Sequence, residues 1–125
     1  MFFLISVSGA SAGGDIVNGA NIFRQCQDCH AIEKGSNKEG PSLCRVIGRP
    51  AGSMAGYAYS DAMKASAAKG LIWTTDNVIR YLADPRQFFG NYLGVPDTRN
   101  KMIFKLVNEQ DREDVVAYLQ SVPTR

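Results

Sequence analysis

Apolar residues Ile16, Ala20 and Phe23 recur at three- and four-residue spacing between Asp15 and Cys26, which predicts an amphipathic helix over that stretch. Gly19 on the same stretch leaves space for another helix to approach. From Glu33 to Tyr59 the periodicity disappears, and Gly35, Gly40, Pro41, Gly48, Pro50, Gly52 and Gly56 interrupt the chain. A loop of that length, if ordered, is usually functional. The pattern resumes at Ser60, which caps a helix running to about Lys69 with Gly70 as its stop. Thr74 or Thr75 caps the next, through Val78, Ile79 and Leu82 to Asp84, and Pro85 suits the first position of a further turn through Phe88 and Phe89. Gly90 to Lys101 reads as irregular, with Gly94, Pro96 and Asp97 as breakers, and delivers Met102 to the run Met102-Ile103-Phe104. Asn108 caps the last helix, whose Val115, Val116, Tyr118 and Leu119 form an apolar face before Pro123 ends it. No alternating strand pattern and no repeat interrupts this order, so the expected fold is all-α, with four to five helices and long loops.

At 125 residues the chain has room for one small hydrophobic core and no second one. Fourteen basic against twelve acidic residues give a formal charge of +2, too weakly basic to argue for a nucleic-acid partner. Residues 1–12 read as the apolar region of an export signal ending in an A-x-A site, with cleavage after Ala12 and the domain proper over 13–125. The basic flank such a signal should carry is missing, since the first positive residue is Arg24, so a truncated start and a retained tail both stay open. The segment is far too short to span a bilayer.

The chemistry concentrates in Cys26-Gln27-Asp28-Cys29-His30, the C-x-x-C-H spacing that attaches a c-type haem. Two thiols three positions apart can each add across one haem vinyl group, and the following imidazole then faces the iron. His30 is the chain's one histidine. Two rival readings use the same residues. A dithiol redox pair normally accompanies a βαβ pattern, which is absent here. Zinc could draw on Cys26, Cys29, His30 and the distant Cys44, but the side chains of neighbouring Cys29 and His30 diverge and no second paired motif follows. A covalently held haem c would supply much of the apolar core that so short a chain cannot build alone, so the apo-protein is expected to fold poorly. Covalent attachment outside the bacterial cytoplasm agrees with the export signal and points to the periplasm.

Beyond this motif come the Gly40-Pro41-Ser42-Leu43 loop, Gly48-Arg49, Gly56-Tyr57-Ala58-Tyr59-Ser60-Asp61-Ala62, Trp73, Tyr81-Leu82 and Lys101-Met102-Ile103-Phe104. In that order, over roughly Gly14 to Pro123, the chain resembles class I cytochrome c, in its bacterial c2 and c-550 form. The resemblance implies Met102 as the distal iron ligand opposite His30, with the Pro41 carbonyl accepting the imidazole N–H. It also implies Arg49, Tyr59 and Trp73 near a haem propionate and Tyr81 near the methionine sulfur. Met54 and Met63 are the other distal candidates, though a methionine on a helix face is more often packing. Tyr57, Phe104 and Tyr118 read better as ordinary core aromatics.

Two departures from the family pattern bear on the potential: Arg45 stands where a glycine is common, and Met63 where an asparagine often joins the hydrogen bonding around the ligand methionine. Gly90 to Asn100 is longer than in short mitochondrial proteins, which favours a bacterial carrier. Cys44 is left over after haem attachment, either as a lone partly buried thiol or as a link between two chains. A histidine–methionine pair favours ferrous iron and leaves no open coordination site, which implies an electron carrier and not an enzyme. A haem enzyme or gas sensor with a displaceable distal ligand is the alternative. By resemblance, the partners are a cytochrome bc1 complex or periplasmic dehydrogenase as donor, and an oxidase, reductase or photosynthetic reaction centre as acceptor. They are met transiently at the membrane surface by a monomer. Lys34, Lys38, Arg86, Arg99 and Lys101 could form a positive docking rim.

Overall fold

Asp15 closes the start of α1 (Ile16–Phe23): its carboxylate accepts the backbone N–H of Val17 at 2.9 Å and of Asn18 at 3.3 Å. The computed structural model describes residues 14–33 and 36–122, so the export segment 1–12, Lys34, Gly35 and Pro123 lie outside the described residues. The remaining helices are α2 (Asp61–Ala68), α3 (Thr75–Ala83), α4 (Pro85–Leu93) and α5 (Glu109–Ser121). Ser60, Thr74 and Asn108 cap α2, α3 and α5 through side-chain oxygens, as their spacing predicts. Asp84 caps α4, with Pro85 in its first turn. Among the described residues there is no strand, only an isolated antiparallel bridge between Pro50 and Ile72. The architecture is the all-α one expected, and no helix among the described residues is long and apolar enough to cross a membrane.

Helices α1 and α5 cross closely because Gly19 has no side chain: a Cβ there would lie 2.0 Å from the Asp114 carbonyl oxygen. Asp114 is 2 % exposed, and its carboxylate accepts the Asp15 N–H at 2.7 Å, the Asn18 amide at 2.7 Å and the Gln110 amide at 2.9 Å. Burial works to raise its pKa, but these three donors outweigh it and hold the acid below its usual range. Phe23 meets Tyr118 at 5.4 Å between ring centroids across the same crossing. Helices α3 and α4, with Trp73 just before α3, complete the core through the rings of Trp73, Tyr81, Phe88 and Phe89, which pack mostly edge to face.

Two boundaries differ from the periodicity. The first helix ends at Phe23, not Cys26, and the Cys26-Gln27-Asp28-Cys29-His30 run lies on the hydrogen-bonded turns that follow. Arg24, Cys26 and Cys29 donate to carbonyls three residues back, the tightening common where a helix runs out. Helix α4 continues through Gly90 to Leu93, and the irregular stretch starts at Gly94, whose φ of 72° makes the left-handed cap. Gly90 is buried, and a Cβ there would sit 3.1 Å from the Val95 carbonyl, so this glycine serves close packing and does not break the helix.

Candidate functional site

The turns after α1 bring Cys26, Cys29 and His30 to one end of an apolar cavity of about 420 Å³, within the ~300–1,000 Å³ typical of cofactor sites. Its walls take Leu43 and Val46 from the long loop, Trp73 from the segment before α3, Tyr81 and Leu82 from α3, Met102 and Phe104 from the segment before α5, and Val115 and Leu119 from α5. Of the residues singled out in the sequence, Cys26, Cys29, His30, Pro41, Arg49, Tyr59, Trp73, Tyr81 and Met102 all line this one cavity.

The proximal side is held by short-range backbone bonds. His30 N–H donates to Cys26 at 2.9 Å, Gly40 N–H to Cys29 at 2.7 Å and Leu43 N–H to Ala31 at 2.8 Å. They draw Gly40 so close that a Cβ would lie 2.4 Å from the His30 Cε1, so this position accepts only glycine. Nδ1 of His30 is 2.7 Å from the Pro41 carbonyl, and since that oxygen can only accept, Nδ1 carries the proton and Nε2 keeps its lone pair. Burial lowers the His30 pKa, the Pro41 bond partly offsets this, and Arg49 and Lys38 lower it further, so the ring stays neutral. A neutral imidazole fixed through Nδ1 is the form that ligates a metal.

Burial, and secondarily Cys29, push the Cys26 thiol up to about 11. The Cys29 pKa is raised by burial and by Glu39, whose carboxylate lies 3.8 Å from its sulfur. Reactive dithiol pairs depend on lowered thiol pKa values, so this environment argues against the redox-pair reading. Zinc fares no better: among the described residues no three His, Cys, Asp or Glu side chains could hold one ion, and Cys44 is not on the cavity wall. Cys44 is 5 % exposed, more deeply buried than expected and poorly placed to link two chains.

Arg49 donates through one terminal nitrogen to the carbonyls of Ser42 at 2.8 Å and Cys44 at 2.9 Å. Its Nε is buried and has no partner among the described residues, an orphaned donor on a residue that lines the cavity. Tyr59 accepts the Met54 N–H at 3.0 Å and keeps its own hydroxyl hydrogen to donate. An apolar slot, a glycine cradle against one imidazole and an unpaired cationic donor fit a flat apolar macrocycle with acidic arms.

Of the three methionines considered, Met63 and Met102 line the cavity and Met54 does not. Tyr57 is not a core residue as expected: half-buried at the rim, it donates to the Glu39 carbonyl at 2.7 Å, with the Lys101 ammonium 5.1 Å from its ring centroid. Phe104 lines the cavity, and Tyr118 is core. Lys101 also donates to the Ala58 carbonyl and Lys38 to the Gln27 carbonyl, so both stay near the mouth. Arg86 instead pairs with Asp97 and the Thr98 carbonyl away from the cavity, which leaves the basic rim smaller than expected. Asn100, unnoticed in the sequence, lines the distal wall and bonds Tyr81, Met102 and Ser60. No spacing signals a bond between residues nineteen or forty positions apart.

Residues 16–123 match the family model described as cytochrome c. The chain is 44 % identical over 120 residues to cytochrome c2 of Rhodopseudomonas palustris, covering 91 % of this chain and 85 % of that protein. It is 40 % identical over 110 residues to cytochrome c-550 of Novispirillum itersonii, covering 87 % of this chain and 99 % of the other. Among solved structures, cytochrome c2 from Rhodobacter sphaeroides superposes with a TM-score of 0.83 at 40 % identity, over 90 % of this chain and 98 % of that one.

Proposed function

The chain belongs to the cytochrome c family, monohaem electron carriers with one covalently attached haem c, and on that premise we propose that it shuttles single electrons between membrane redox complexes of a bacterial periplasm. Cys26 and Cys29 would hold the macrocycle through thioethers, and His30 and Met102 would ligate its iron. When bound, the haem supplies a one-electron ferric–ferrous couple.

The observation that carries this reading is the His30–Pro41 bond of 2.7 Å, which orients a neutral imidazole at the end of an apolar cavity that Met102 shares. Leu43, Val46, Leu82 and Val115 keep water from the cavity, so little solvent reorganises when charge changes there. Arg49, Tyr59 and Trp73 would receive the propionates. Tyr81 supports the methionine sulfur. With His30 and Met102 both serving as ligands, no coordination site would be left open, so transfer would be outer-sphere, beside Lys38 and Lys101. Partners of the bc1, dehydrogenase, oxidase or reaction-centre type then need only a small, salt-sensitive contact.

The test is the optical spectrum of the exported protein and of Met102→Ala. The wild type shows the ferric sulfur-to-iron band and binds carbon monoxide poorly at neutral pH; the variant loses the band and binds it readily. A band that survives the substitution, or prompt carbon monoxide binding by the wild type, overturns the assignment.

A further inference from the structure

Glu39 is the one carboxylate among the described residues that line the cavity, and it is exposed, as is its neighbour Cys29. Its carboxylate lies 3.8 Å from the Cys29 sulfur. The backbone that carries it is tied down on several sides: Gly40 N–H donates to the Cys29 carbonyl at 2.7 Å, Lys38 N–H to the Gly40 carbonyl at 3.0 Å, and the Tyr57 hydroxyl to the Glu39 carbonyl at 2.7 Å. Gly40 packs against the His30 ring with no room for a Cβ, so the turn has little freedom to shift and the acid keeps its place beside Cys29.

No ion pair among the described residues neutralises this carboxylate. The two nearest ammonium groups are committed to backbone carbonyls, Lys38 to Gln27 at 2.8 Å and Lys101 to Ala58. Other basic residues expected round the rim lie elsewhere: Arg86 pairs with Asp97, and Arg99 lines an outer groove of about 510 Å³ and not this cavity. Asp28 is also exposed and acts on the Cys29 sulfur with the same sign as Glu39, against Lys38. The rim is therefore split in charge, with the Glu39 carboxylate beside Cys29 and the Lys101 ammonium over the Tyr57 ring, next to Met102.

We infer that Glu39 is a specificity-determining residue for electron exchange: it makes the Cys29 side of the rim favour a cationic group, so an acidic docking face fits best when it places a lysine or arginine opposite Glu39. A uniformly acidic partner satisfies Lys101 but meets like charge at Glu39, which slows encounter and disfavours that partner. The effect is confined to low and moderate salt, because exposed charges are screened beyond about 8 Å at physiological ionic strength. This rests on haem being attached at Cys29, which the mass of the purified protein checks separately.

The experiment oxidises the ferrous, haem-loaded protein in stopped flow at low salt with an anion, hexacyanoferrate(III), and with a cation, tris(phenanthroline)cobalt(III). Wild type, Glu39→Gln, Glu39→Asp and Lys101→Gln are compared. Glu39→Gln speeds the anion and slows the cation, each about threefold, the scale expected for one exposed charge acting on a multiply charged probe. Lys101→Gln moves both rates the opposite way. Glu39→Asp keeps the charge and retains the wild-type preference, and high salt removes the differences among all four proteins. A change in midpoint potential alone would shift both oxidants in the same direction. A common shift or no shift in Glu39→Gln therefore overturns the inference, as does a Glu39→Asp protein that behaves like Glu39→Gln.

Discussion

The two sides of the cavity are built by opposite means. On the proximal side, Cys26 to Cys44 closes on itself: the bonds from Gly40 to Cys29, from Leu43 to Ala31 and from His30 to Pro41 all join residues twelve or fewer positions apart. On the distal side, Met102 is held by partners from other elements: Asn100 reaches Tyr81 across nineteen positions and Ser60 across forty, and Lys101 reaches Ala58 across forty-three. Chain closure costs more entropy as the loop lengthens, so the distal bonds carry the larger closure cost. The histidine end of the site is therefore rigid by local construction, and the methionine end is only as stable as the packing behind it.

The contrast predicts a graded set of effects. Gly40→Ala drives a Cβ into the His30 ring and should cost about 3 kcal/mol, the upper end for overpacking, with a loss of haem incorporation; guanidinium unfolding monitored by haem absorbance measures it. Gly94, on the distal segment, has open space around it, so Gly94→Ala pays only the left-handed penalty of about 1 kcal/mol. Equal costs at the two glycines would erase the distinction.

Asp114→Asn removes the charged acceptor that seats the start of α1, behind the proximal turns, and should cost about 2 kcal/mol, in the range for hydrogen bonds to a charged group. The sign with pH follows from its lowered pKa. The stabilisation is fully present above the ordinary carboxylate value of 3.8 and is lost as pH falls through the lower folded value. An acid titration of unfolding free energy should therefore be shallower in Asp114→Asn than in the wild type below about pH 4.

Arg45 is the described non-glycine residue with positive φ, at 53°, in the proximal loop. Arg45→Gly should stabilise the protein by about 1 kcal/mol by relieving that conformation, seen as a higher denaturation midpoint with unchanged slope. The smallest effect is Lys101→Ala, which removes a cation over the Tyr57 ring and should cost about 0.5 kcal/mol. It should also slow reduction by an acidic partner more at low salt than at high salt, in stopped-flow measurements.

Much of this molecule was legible in its residues. Cys26, Cys29 and His30 carry their chemistry in their spacing, and Ser60, Thr74 and Asn108 announce helix starts because a cap is satisfied within three residues. Where the reading failed, tertiary contact overrode local preference. Gly90 looked like the start of an irregular stretch yet is helical, because the chain at Val95 packs against it. Tyr57 looked like core yet closes the rim, because Glu39 and Lys101 take its hydroxyl and its ring.

The linear chain by itself determined the C-x-x-C-H run, the caps and the all-α layout, since each depends on residues a few positions apart whose geometry is set by the backbone. Only the tertiary structure decided that Asn100 joins Ser60, Tyr81 and Met102, that Arg49 keeps one unpaired donor, and that Gly40 must lack a side chain. Those facts are distances between groups brought together by packing, and no local pattern of residue types encodes them.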